Sequence, residues 1–156
     1  MASREIKHLS PAMQVLYNKF NDRCRRDEWF QRNGVTVLLI CTYRSGEEQD
    51  ALYAQGRTKP GKVVTNARAG RSKHNATLPG TDTPAAEAFD VVPLRHGKMI
   101  WGTSGDGIDE DPTDDHKDDL EVWQRVGAHG VAVGLKWYGS PGSAFREFPH
   151  FQNPDV

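Results

Sequence analysis

Apolar residues recur at helical spacing behind Ser10-Pro11, at Met13, Leu16, Tyr17 and Phe20. A serine at the cap and a proline in the first turn open helices, so the pattern predicts one amphipathic helix over residues 11 to about 31. Past Asn33-Gly34 the pattern changes to a β-branched, apolar run, Val35-Thr-Val-Leu-Leu-Ile-Cys-Thr-Tyr43, which predicts a buried strand with Arg44 at its mouth. Ser45-Gly-Glu-Glu48 has the spacing of a capping box, and a second helix is expected from 46 to about 56, stopping near Gly56. From Arg57 to Pro84 the chain turns to Gly, Pro, Thr, Asn and basic residues, the composition of a loop. Ala88 to Leu94 reads as a strand, and Arg95-His-Gly-Lys98 as a hairpin turn into Met99-Ile-Trp101. Leu120, Trp123 and Val126 share a face of a helix predicted over about 113–129. Short apolar pieces around Val131–Leu135, a Gly/Ser loop and Phe148-Pro-His-Phe-Gln152 close the chain. No repeat or internal boundary interrupts this order, which describes a single domain over residues 1–156.

Composition narrows the class. At 156 residues with 37% hydrophobic content, a domain buries roughly two-thirds of its unfolded surface and needs no disulfide framework. The longest apolar run, Val35–Cys41, is far short of the ~20 residues that cross a bilayer, so stable membrane insertion is not expected. The start, Met1-Ala-Ser-Arg-Glu5, lacks the apolar core of a secretory signal. Cys24 and Cys41 are the only cysteines and read as reduced thiols of a cytosolic chain. A net charge of −1 conceals an asymmetry, since residues 1–73 carry 14 Lys and Arg against 7 Asp and Glu, and residues 74–156 carry 6 against 14. The basic half can lean on an anionic polymer, or the two halves can fold onto each other. With no nucleic-acid module and a near-balanced total, nucleic acid is not expected as a partner.

Two of the six histidines lie in contexts that look built: His74 in Ser72-Lys-His, within a Gly/Asn-rich loop, and His150 in Glu147-Phe-Pro-His. Asp90 is a carboxylate inside an apolar strand, where an unpaired charge is costly and a cation partner removes the cost. Two imidazoles and a carboxylate are the open three-ligand set of a zinc hydrolase, although composition alone reads any one histidine as a surface or hydrogen-bonded residue. Glu87 is expected on the strand face opposite Asp90. The acidic stretch 106–119 lacks the glycine and terminal glutamate of a calcium loop and reads as solvated. His8, His96, His116 and His129 read as surface residues. Trp101, Trp123, Trp137 and Tyr138 read as core, with Trp137-Tyr138 also placed to wall a cleft.

Tyr43-Arg44-Ser45, Ser72-Lys-His74, Ala88-Phe-Asp90 and Glu147-Phe-Pro-His150-Phe-Gln together resemble the zinc peptidases of bacterial cell walls. That family includes D-alanyl-D-alanine dipeptidases and carboxypeptidases and the L-alanyl-D-glutamate endopeptidases of phage lysins. The resemblance spans residues from about 37 to 152. It implies a small α+β fold of the hedgehog/D-Ala-D-Ala-peptidase type, a central antiparallel sheet flanked by helices, in agreement with the element order. It also implies Zn2+ on His74, Asp90 and His150, Glu147 as catalytic base, Arg44 as a substrate or transition-state contact, and Ser72 as a supporting hydrogen bonder. The implied activity is hydrolysis of the peptidoglycan stem peptide, in a phage endolysin cutting between L-alanine and D-glutamate. Such a lysin is a monomer kept in the cytoplasm of the infected host and released to the wall by a membrane-permeabilising phage protein. A D-alanyl-D-alanine carboxypeptidase or dipeptidase, or a zinc-holding binding module without turnover, are the alternatives. The family spaces its histidine and aspartate seven apart, whereas His74 and Asp90 are sixteen apart. Residues 75–84 are therefore expected to be an inserted loop, with Asp82 the rival carboxylate.

Overall fold

The computed structural model describes residues 2–101, 116–140 and 147–155, with residues 116–118 described by backbone alone. Helix α1, Pro11–Arg26, starts where Ser10 accepts a hydrogen bond from the Met13 amide. The single helix expected to about 31 is in fact two, because Asp27 takes extended backbone and its side chain accepts from the Phe30 amide to cap α2, Glu28–Arg32. A tertiary partner reinforces the break, since His129 Nε2 lies 2.7 Å from Asp27 Oδ2. Strand β1, Val35–Cys41, is followed by α3, Gly46–Ala54, whose Ser45/Glu48 capping box is formed as the sequence predicts. The hairpin β2, Ala88–Arg95, and β3, Lys98–Met99, turns through His96 and Gly97, both at positive φ. Helix α4, His116–Ala132, and the short strands β4, Lys136–Trp137, and β5, His150–Gln152, complete the order.

All strands form one antiparallel sheet in the order β1-β2-β5-β4, with β3 extending the far end of β2. Its register explains the position of the site. Phe89 faces Phe151, which faces Trp137, so these rings form one row across three strands. Residues directly opposite share a face, and this row points into the core, where Phe20 of α1 meets Phe151 at 5.1 Å and Phe89 at 5.5 Å. Cys41 faces Asp90, which faces His150, one residue along. Because side chains alternate along a strand, this second row points to the opposite side of the sheet from the aromatic row.

Helix α4 lies close against the sheet because of two glycines. A Cβ on Gly127 would sit 2.2 Å from the Trp137 ring, and one on Gly130 would sit 2.2 Å from the Phe151 ring. Trp123, Val122 and Val126 bury fully in the same layer. The amino-terminal segment ties to the end of β1 through Ser3 N to Tyr43 O and Thr42 N to Ser3 O.

Several surface expectations change. His129 is half-buried, packed edge-on against Phe30 and paired with Asp27, because α4 crosses the α1–α2 break. Trp101, expected in the core, is 57% exposed and borders the cleft described below. Asp119 is buried within α4, so that end of the acidic stretch is not solvated, whereas residues 106–115 lie outside the described residues and the side chains of 116–118, His116 among them, are not described. Both cysteines are free and buried, and burial pushes the Cys24 thiol up to about 12. Among the described residues no helix is long and apolar enough to cross a membrane.

Candidate metal centre and cleft

His74 reaches Asp90 because residues 76–85 fold out and return. Ala85 N donates to Ala76 O and Leu78 N to Thr83 O, with Gly80 at positive φ in the turn, so the excursion closes on itself. Glu87 N then bonds Lys73 O, which clamps the His74 turn beside β2. The long sequence separation therefore costs no spatial separation. Asp82, the rival carboxylate, is exposed on the excursion and does not line the cleft that holds the histidines.

Three donor atoms converge. His74 Nε2 lies 3.2 Å from Asp90 Oδ1 and 3.3 Å from His150 Nδ1, and His150 Nδ1 lies 3.1 Å from Asp90 Oδ1. A tetrahedral zinc with bonds of about 2.0–2.1 Å has ligand-to-ligand edges of about 3.3 Å, so this near-equilateral triangle fits one face of such a polyhedron. Cys41 forms a second donor group with His74 and Asp90, within 4.8 Å. Its sulfur, however, lies 3.6 Å from His74 Nδ1, the nitrogen already bonded to Thr42 O at 2.8 Å. The triangle through Nε2 and His150 is the better metal face, because one ring cannot present both nitrogens to the same ion.

Second partners fix both rings. The Thr42 carbonyl holds His74 Nδ1, and Gln152 Oε1 holds His150 Nε2 at 2.9 Å, which is how outer partners select the tautomer that faces a metal. The electrostatics agree with a cation-seeking site. Burial alone raises the Asp90 carboxyl, yet His74 and His150 outweigh it and hold the group well below the ordinary range. Burial lowers His74, but the Asp90 charge overrides it and carries the ring up to about 10. In this arrangement the cluster holds positive charge against Asp90, as a proton or as a metal.

Arg44 lies at the end of β1, with Nη2 3.6 Å from Asp90 Oδ2. Gln49, fully buried in α3, accepts from Arg44 Nη1 at 2.8 Å and donates to Ala67 O at 2.7 Å. Glu147 lines the same cleft. Burial raises its carboxyl, partly countered by His150, and among the described residues the carboxylate oxygens have no hydrogen bond or ion pair. Ser72 accepts from the His74 amide and caps the turn that carries His74. Tyr138 packs edge-on against His150 at 4.6 Å and walls the cleft, whereas Trp137 is core and donates to Phe148 O. The cleft encloses about 780 Å³.

Sequence reading missed Cys41, Thr42, Gln49 and Gln152. Gln152 had a signal, since it stands two residues after His150 and shares its strand face. Gln49 had none, because only the tertiary approach of α3 to β1 makes it a partner of Arg44.

Fold and centre together define a small α+β domain with an open three-donor cluster and, beside it, a carboxylate with no partner among the described residues. The chain is 33% identical over 120 residues to the peptidoglycan L-alanyl-D-glutamate endopeptidase CwlK of Bacillus subtilis (strain 168), a match covering 76% of this chain and 61% of that protein. The chain thus spans about three-fifths of that relative's length. The crystal structure of the Serratia marcescens L-Ala D-Glu endopeptidase ChiX matches with a TM-score of 0.54, over 98% of this chain and 88% of that one. At 14% identity that likeness shows the fold. No family model matches the chain. The CwlK match supports the resemblance to cell-wall peptidases drawn from the motifs, and the ChiX match supports the fold that resemblance implies.

Proposed function

We propose that the chain is a zinc-dependent peptidoglycan endopeptidase that hydrolyses the L-alanyl-D-glutamate bond of the stem peptide. The observation that carries the proposal is the triangle of His74 Nε2, Asp90 Oδ1 and His150 Nδ1, with edges of 3.1 to 3.3 Å at the floor of a cleft. The relatives named above support the choice of bond. His74, Asp90 and His150 would hold the zinc, which would supply Lewis acidity toward the scissile carbonyl and an acidified water with a pKa of about 7. Glu147 takes the proton of the attacking water and returns it to the leaving amine, a role suited to a carboxylate whose affinity for protons burial has raised. Arg44 stays charged and faces the negative charge that develops on the carbonyl oxygen. In the same reading, supported by the lysin-like motifs, the chain serves a phage as an endolysin, held in the host cytoplasm until a membrane-permeabilising partner admits it to the wall.

Incubation with muropeptides and mass spectrometry of the fragments tests the bond. Release between L-alanine and D-glutamate is expected, and release of terminal D-alanine instead would make the chain a carboxypeptidase. Glu147→Gln keeps shape but not basicity, and turnover should fall by about 10²–10⁴-fold with zinc content unchanged. Wild-type turnover in this variant refutes the assigned base.

A further inference from the structure

Arg44, the buried cation of the centre, is assigned above to the charge that develops on the scissile carbonyl oxygen, so a second substrate anion needs another partner. Arg44 Nη1 is committed to Gln49, and Nη2 to Cys41 and Asp90. Charge for recognition has to come from the rim. The segment 57–73 contains six Lys and Arg and no Asp or Glu, and two of those cations, Arg71 and Lys73, border the cleft.

These cations differ in what they already do. Arg57 and Arg68 are engaged with Tyr53, their guanidinium carbons 3.9 and 4.8 Å from the ring centroid, and Arg57 also donates to the Tyr53 and Thr65 carbonyls. Arg71 is exposed, and its guanidinium has no hydrogen bond or ion pair among the described residues. It borders both the cleft and an adjoining hollow lined by Tyr138 and Glu147. Its backbone is anchored, since Arg71 N donates to Arg68 O, Asn75 Oδ1 accepts from Gly70 and Ser72, and Asp50 accepts from Ala69. An unused planar fork is thus held on a tied loop lining the same hollow as the proposed base, and such a fork matches a carboxylate in two parallel hydrogen bonds.

A glutamate residue in a peptide has two carboxyl groups. One can continue the chain, and the other stays ionised at neutral pH. We propose that Arg71 is a specificity-determining residue that binds the free carboxylate of the acidic residue at the scissile bond. This rests on the endopeptidase reading and adds to it the chemical form of the substrate: a free acid is preferred over its amide. Lys73 also borders the cleft, but its ammonium lacks the two-point geometry.

The test compares two soluble stem peptides that differ only in whether that carboxylate is free or amidated, cut by the zinc-loaded wild type, Arg71→Ala, Arg71→Lys and Lys73→Ala. The wild type should favour the free acid by about tenfold or more in kcat/KM, the range of one charged hydrogen-bond pair. Arg71→Ala should erase the preference by raising KM for the acid alone, Arg71→Lys should restore part of it, and Lys73→Ala should keep it. Persistence of the preference in Arg71→Ala, its loss in Lys73→Ala instead, or no preference in the wild type overturns the assignment while leaving the endopeptidase reading intact. Failure of the wild type to cut either peptide overturns that reading, and the carboxylate site with it.

Discussion

Gly130→Ala sets two effects of known sign against each other. In the last turn of α4 the substitution gains up to roughly 1 kcal/mol of helix propensity. The added methyl, however, would lie 2.2 Å from Phe151 Cε1 and 2.5 Å from Cδ1, where ordinary contact begins at 3.4 Å. Phe151 must retreat by more than an ångström. It is fully buried and has no room to do so, stacked on Phe89 at 5.5 Å and on Trp137 at 6.3 Å, with Phe20 at 5.1 Å. Overpacking of this kind costs about 1–3 kcal/mol, so the net expectation is a loss of up to about 2 kcal/mol. Phe151 follows His150 in β5, so movement of the strand also displaces a corner of the donor triangle, and an ångström of misplacement costs on the order of a hundredfold in rate. Urea unfolding measures the first effect, and muropeptide turnover well below the midpoint measures the second. Ala128→Gly, at an exposed position of the same helix, calibrates propensity with a loss of about 1 kcal/mol. A Gly130→Ala variant more stable than the wild type by the full propensity gain of about 1 kcal/mol refutes the close-approach argument.

Three further outcomes follow from the same geometry. His150→Ala should abolish stoichiometric zinc binding measured by elemental analysis, and wild-type zinc content should fall in acid as protons compete for the imidazoles; full zinc in the variant places the metal elsewhere. Gln49→Met removes the acceptor of Arg44 Nη1 and the donor to Ala67 O, and should lower kcat by about tenfold with zinc unchanged; unchanged kcat separates Gln49 from Arg44 positioning. Burial raises the Asp27 carboxyl, but hydrogen bonds from His129 and Phe30 more than reverse it and leave its pKa lowered, so its stabilisation is present above the unfolded value of about 3.9 and disappears as pH falls through the folded one. Asp27→Asn should therefore be less stable than the wild type at pH 7 in urea, with the gap closing below about pH 4; a gap constant from pH 7 to 3 removes the pair from the stability account.

Local chemistry was legible in the chain wherever a few adjacent residues settle a conformation. Ser10-Pro11 opens α1, Ser45 and Glu48 close a capping box, and the alternation in Ala88-Phe89-Asp90 sends the ring one way and the carboxylate the other. His74, Asp90, His150, Arg44 and Glu147 were legible as candidates because their residue types and surroundings carry the chemistry and the family pattern. What the chain could not state alone was distance. The sixteen-residue gap between His74 and Asp90 is bridged by an excursion whose ends hydrogen-bond to each other, a pairing that depends on backbone geometry and not on residue type. The break at Asp27 is reinforced by His129, 102 residues away, and Gln49 became a partner of Arg44 through the approach of α3 to β1. Sheet register decided the rest. By placing Cys41, Asp90 and His150 in one row and Phe89, Phe151 and Trp137 in the next, cross-strand pairing put the donor cluster and the core on opposite faces of one sheet, and pairing between distant segments is set by long-range packing that no local window contains.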